Sequence, residues 1–155
     1  MRFSRLRTSA VVSATFVLAS CASVGARNPV AEPTLYARLA GYDAIAAVVD
    51  DLLARELRDS VVAPFFKGLE PEDIGRIRQH LVDQLCAAAS GPCFYPGMDM
   101  KTAHAEFEIT EDVWNAFTGH IGESLDVFKI GERERNELVV IVASLKKDIV
   151  NMPRP

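Results

Sequence analysis

Apolar residues recur at helical spacing in four long stretches of the chain, and no stretch alternates with the period of a strand. The first follows Gly41. Ile45, Val48, Val49, Leu52 and Leu53 share one face, while Asp50, Asp51, Arg55, Glu56 and Arg58 mostly take the other. Asp43 is placed to cap this helix, which should end near Asp59-Ser60. The second opens at Glu70-Pro71-Glu72-Asp73, with proline in the first turn and acids at the positive end of the dipole. Its apolar stripe is Ile74, Ile77, Leu81 and Leu85, with His80 on the flank. The third is capped by Thr110 and carries Val113, Trp114, Phe117, Ile121 and Leu125 on one face, with His120 beside them. The fourth should run from about Glu132 to Asn151, with Leu138, Val142, Leu145 and Ile149 inside and Lys146 and Lys147 near its negative end. A helical turn at Leu35, Tyr36 and Leu39 precedes them, and Pro64-Phe65-Phe66 makes a corner. The pattern predicts an all-α domain. Its one long interruption, Ser90-Gly91-Pro92-Cys93-Phe94-Tyr95-Pro96-Gly97, is more than a hairpin turn needs and reads as room made for a ligand.

Composition narrows this picture. The chain has 155 residues, with 25% charged and 49% hydrophobic, which suits one globular domain behind a leader. A formal net charge of -4 argues against a nucleic-acid partner. Arg2, Arg5 and Arg7 form a positive head, and the apolar run Ala10 to Ala19 is too short to span a membrane. Leu18-Ala19-Ser20-Cys21 resembles a bacterial lipobox, so residues 1–20 are read as a lipoprotein signal peptide and Cys21 as the lipidated residue. On that reading the protein is exported and held in the cell envelope, facing the periplasm, by its acyl chains alone. Residues 21–33 then read as a flexible tether, and 34–152 as the folded domain. Cys86 and Cys93 lie across a Gly-Pro turn. Either they form a local disulfide, or Cys86 packs as a small buried hydrophobe and Cys93 stays free; the reading leans to the latter.

The sequence carries no nucleophile elbow, P-loop, H-E-x-x-H or C-x-x-C motif. C-x-x-C-H is absent too, so covalent haem attachment by that motif is not expected. A zinc site drawn from His80, Cys86, Cys93 and His104 would match no common spacing. What remains is His104, on a short helical piece after the Gly/Pro break, and His80 one helix upstream. Two imidazoles on separate elements with large apolar residues around them suit a haem pocket. Taken on spacing alone, His80 reads more simply as a half-exposed rim residue, and Phe65 and Phe66 as core rings. His120 reads as structural, since nothing near it suggests a ligand set.

Several motifs recur here in order: Leu35-Tyr36-x-x-Leu39-x-Gly41, Pro64-Phe65-Phe66, Gly91-Pro92, Tyr95, Met100-Lys101-x-x-His104 and Ile109-Thr110. Together they resemble the truncated haemoglobins, most closely group I, over nearly all of residues 34–152. The resemblance implies a two-over-two helical globin fold and haem b, iron protoporphyrin, as cofactor. It implies that His104 is the proximal iron ligand, that Phe66 wedges the porphyrin with Phe65 beside it, and that Tyr95, Met100, Trp114 and Phe117 lie around the haem edge and floor. Arg76 and Lys101 become candidates for the haem propionates.

The distal side departs from that family's pattern. Leu53 stands where many members have a tyrosine that donates to bound oxygen, and Ile77 and Leu81 stand where glutamine is common. His80 matches the position that supplies a sixth iron ligand in some hexacoordinate relatives, which turns its reading towards reversible iron ligation. An aliphatic distal wall gives an oxygen ligand little polar support. The resemblance therefore implies binding of O2, NO or CO with redox or NO chemistry rather than storage, and a reductase or electron-transfer partner. NO dioxygenase or peroxidase activity, and oxygen transport, are the alternatives.

Overall fold

The computed structural model describes residues 31–152, so the leader and Cys21 lie outside the described residues, as does Pro153. Helix α1 spans Leu35–Arg38, α2 Tyr42–Glu56, α3 Pro71–Ala88, α4 Met100–His104, α5 Glu111–Val127 and α6 Glu132–Ile149, with a 3-10 turn at Ala63–Phe66. No strand occurs among the described residues, as the hydrophobic pattern predicts. No helix there is long and apolar enough to cross a membrane.

α2 is the spine. It packs on both α3 and α5, while α4 and α1 pack on α6. Ile45, Val49, Leu52 and Leu53 are buried along α2, and Val49 meets Val82, Cys86 and Leu125 in one apolar cluster. α1 is tied to this body by the Tyr36 amide donating to the Ala89 carbonyl at 2.8 Å and by Arg38 bridging Glu134 at 2.8 Å. Between α1 and α2 the chain reverses through Ala40 and Gly41, both at positive φ. Gly41, not Asp43, is the N-cap of α2, because the left-handed turn fixes the entry; Asp43 sits in the first turn, where its charge still meets the dipole. At the far end, α2 stops at Glu56. Asp59 then accepts the amides of Val61 and Val62 at 2.7 and 2.9 Å and turns the chain early.

α3 begins as its sequence says, with Pro71 in the first turn and Glu70 and Asp73 making a reciprocal capping box. Its core face is wider than the expected stripe. Val82, Cys86 and then Ala89 are buried, whereas Ile74, Ile77, Leu81 and Leu85 are only half-buried. Ile77, Leu81 and Leu85 still pack against that core, so the expected stripe forms one edge of it, with Val82 and Cys86 lying deeper. α5 is capped by Thr110 as predicted, its hydroxyl accepting the Val113 amide at 3.3 Å. α6 ends at Ile149 rather than Asn151, because the Asn151 and Met152 amides both turn to the Ile109 carbonyl at 3.2 Å.

Glu56 is also not where the charge pattern puts it. Its side chain is fully buried, on the same face as Leu53 and Val49. His120 Nδ1 of α5 lies 3.2 Å from Glu56 Oε1, at ion-pair distance but off the hydrogen-bond direction, and His120 Nε2 lies 3.6 Å from Asp59 Oδ2. The structural reading of His120 fits this packing role. Burial pushes the Glu56 carboxyl up to about 7, against the lowering influence of His120 and with some help from Asp59. The folded state thus holds this proton more tightly than an unfolded chain, whose glutamate titrates near 4.5. The contribution of Glu56 is full below that value and is lost as pH rises to about 7. In paired denaturation curves, wild type should lose stability relative to Glu56→Gln across that window. A difference that stays flat with pH would contradict the buried, proton-holding Glu56.

Candidate functional site

The segment from Cys86 to Ile109 is tied down at several points. Cys86 and Cys93 are joined as a disulfide with their Cα atoms 5.8 Å apart, which corrects the expectation of two separate thiols. Spacing could not decide this. The end of α3 decides it, by bending the chain back so that the Gly91 amide donates to the Cys86 carbonyl at 2.8 Å. Gly91 is required there: a Cβ would sit 2.5 Å from the Tyr36 ring, 2.6 Å from Cys86 Sγ and 2.8 Å from the Cys86 carbonyl oxygen. Tyr95 follows, half-buried, its hydroxyl donating to the Met98 carbonyl at 2.8 Å. Burial, and then the Asp99 charge, raise its phenol above the usual tyrosine value.

Asp99 caps α4. It accepts the Thr102 amide at 3.0 Å and the Thr102 hydroxyl at 2.7 Å, and these bonds hold its carboxyl below the ordinary aspartate range. One turn on, His104 is half-buried and its Nδ1 lies 2.8 Å from the Met100 carbonyl. A carbonyl only accepts, so Nδ1 carries the proton and Nε2 keeps its lone pair. This is the tautomer a metal-ligating imidazole needs.

The other predicted residues fall on the surrounding elements. His80 is half-buried on α3 with its ring edge-on to Tyr95, centroids 5.9 Å apart and planes at 77°. The first histidine is thus tied through Tyr95 to the loop that carries the second. Ile77 and Leu81 flank it, half-buried and packed on the core. Phe66 also packs on the core, while Phe65 stacks edge-to-face on Phe107 at 6.0 Å. Phe107 was not anticipated; it is an aromatic three residues beyond His104, and only the fold brings it to the 3-10 turn. Met100 and Phe117 are half-buried. Trp114 is buried at the α5–α6 side, with Lys146 Nζ 5.9 Å from its ring and also 2.7 Å from Glu111. Arg76 is exposed and paired with Asp73, and Lys101 is exposed. Leu53 is buried in the core cluster.

Asn151 was read only as a helix end. Its side chain instead donates to the His104 carbonyl at 2.9 Å and the Phe107 carbonyl at 2.7 Å, and accepts the Ile109 amide at 3.0 Å.

The donor set fits a haem iron better than a bare metal ion. Among the described residues no group of three or more His, Cys, Asp or Glu side chains could hold a metal. An iron at His104 must bring its remaining ligands with it, as a porphyrin does. Half-buried Phe65, Phe66, Ile77, Leu81, Met100 and Phe117 are apolar surfaces that a flat apolar group would cover favourably.

The comparisons agree with the geometry. A family model described as "Bacterial-like globin" matches residues 34–151. The chain is 33% identical over 118 residues to the group 1 truncated hemoglobin of a Nostoc species, covering 76% of this chain and 98% of that protein. It is 28% identical over 152 residues to a group 1 truncated hemoglobin of Chlamydomonas moewusii, covering 97% of this chain and 87% of that one. Among solved structures, the Fe(III) truncated hemoglobin of Tetrahymena pyriformis superposes with a TM-score of 0.71 at 24% identity, covering 77% of this chain and 99% of that one. Such a likeness shows the two-over-two fold.

The Gly91 contact gives a direct check. Gly91→Ala forces a methyl against a backbone carbonyl and the disulfide, so stability should drop by about 1–3 kcal/mol in urea titration. An unchanged midpoint would mean that the loop is not packed as described.

Proposed function

The chain belongs to the bacterial-like globin family, as a group 1 truncated haemoglobin, and from that premise we propose that it binds haem through His104 and works in ligand-gated redox or NO chemistry. When bound, haem would supply an iron able to take an imidazole and a small diatomic ligand such as O2, NO or CO. The observation that carries the reading is the 2.8 Å contact from His104 Nδ1 to the Met100 carbonyl, which leaves Nε2 as the free donor.

The chain's own residues then have distinct tasks. His104 Nε2 would hold the iron, and the bond from Nδ1 to Met100 fixes the ring orientation. Phe65 and Phe66 would offer apolar faces to the porphyrin, Tyr95, Met100, Trp114 and Phe117 would add contacts to it, and Arg76 and Lys101 would supply cations for its carboxylates. Leu53, Ile77 and Leu81 are aliphatic and would offer a diatomic ligand no hydrogen bond. His80 would compete with a diatomic ligand for the iron, and apparent affinity would fall by the fraction of protein in which His80 is bound. This supports redox or NO chemistry over storage. It also calls for an electron-donating partner, and Cys21 lipidation would keep the domain at the envelope membrane.

Two spectra test the assignment. His104→Ala should fail to retain haem on purification, whereas normal haem content with an unchanged Soret band would contradict it. The ferric wild type should show a six-coordinate, bis-imidazole spectrum that His80→Leu abolishes. If both proteins are already five-coordinate or water-bound, His80 is not a ligand. Long-lived, reversible oxygen uptake by the ferrous protein would count for storage.

A further inference from the structure

α4 is only five residues long, too short to hold its own shape without outside support. Its N-terminal end is secured by Asp99. Its C-terminal end carries the peptide of His104, and there the support comes from 47 residues away. Asn151 Nδ2 donates to the carbonyl of His104 itself at 2.9 Å and to that of Phe107 at 2.7 Å. Its Oδ1 accepts the amide of Ile109 at 3.0 Å, and its backbone amide donates to the Ile109 carbonyl at 3.2 Å. Asn151 is exposed, but Ile109 is buried, so the bonds between them tie the clamp to the protein interior. The same amide side chain grips Phe107, whose ring meets Phe65 on the 3-10 turn.

Each of these bonds acts on the segment that bears the imidazole. The Met100 contact fixes rotation of the His104 ring about its side chain; it does not fix the helix that carries the ring. An amide side chain is suited to the second task. It has donors for two carbonyls and an acceptor for one amide, and the loop 104–109 presents that set. Aspartate would lose both donors and set a charge against two carbonyl oxygens; alanine would lose everything but the backbone bond.

We propose that Asn151 is a positioning residue for His104, clamping the peptide that follows the imidazole so that Nε2 stays aimed at the haem iron. This rests on His104 being the iron ligand. The test uses the full, haem-loaded ferrous protein with His80→Leu as background, so that the iron–imidazole stretch can be read by resonance Raman in the five-coordinate form. Asn151→Ala and the near-isosteric Asn151→Asp should both shift or broaden that band. Both should also release haem to a scavenging apoprotein about tenfold faster, the order expected when support around a metal ligand is removed. If the band and the release rate stay put in both variants while thermal midpoints fall, Asn151 is a helix-end clamp only and the proposal is overturned. A background protein with no band that His104→Ala removes overturns the haem reading itself, and the Asn151 role with it.

Discussion

The bond from His104 Nδ1–H to the Met100 carbonyl is the constraint on which the rest of the site depends. It selects one of two tautomers, and so decides which nitrogen can bind a metal. It spans the single turn of α4 between Met100 and His104, and both ends of that turn have side-chain support. Asp99 holds one end, and Asn151, projecting from the end of α6, holds the other. A single turn of helix is otherwise a poor platform, since nucleating it costs more than its few hydrogen bonds return.

The large helices serve this small one. α2 packs on α3 and α5 and buries Val49 against Val82, Cys86 and Leu125. Ile77 and Leu81 sit half-buried at the edge of that cluster, with half-buried His80 between them in sequence. The disulfide and the Gly91 turn bring the chain straight back from α3, so Tyr95 comes to rest against His80 before α4 begins. One loop therefore connects both histidines, and its geometry is set by close contacts rather than by length.

Much of this was legible in the sequence. The four long helices, the Thr110 cap and the Pro71 start follow from periodicity and capping chemistry, and the motif order around His104 pointed to the right family. The misreadings share a cause. Ile77, Leu81 and Leu85 do pack on the core, but a one-dimensional pattern does not say that Val82 and Cys86 lie deeper in it. Glu56 looks like a surface charge until His120, 64 positions later, is packed beside it. Whether Cys86 reaches Cys93 depends on how α3 ends, and the grip of Asn151 on His104 crosses nearly the whole second half of the domain. Such contacts leave no local trace.

The account turns on which nitrogen of His104 carries the proton and which meets iron. Nitrogen-15 NMR of the haem-loaded ferric protein, labelled at its histidines and assigned with His104→Ala, reads both at once. His104 Nδ1–H should be present, strongly shifted by the paramagnetic iron and slow to exchange with water. A His104 ring in the Nε2–H form, unshifted and exchanging freely, would contradict it.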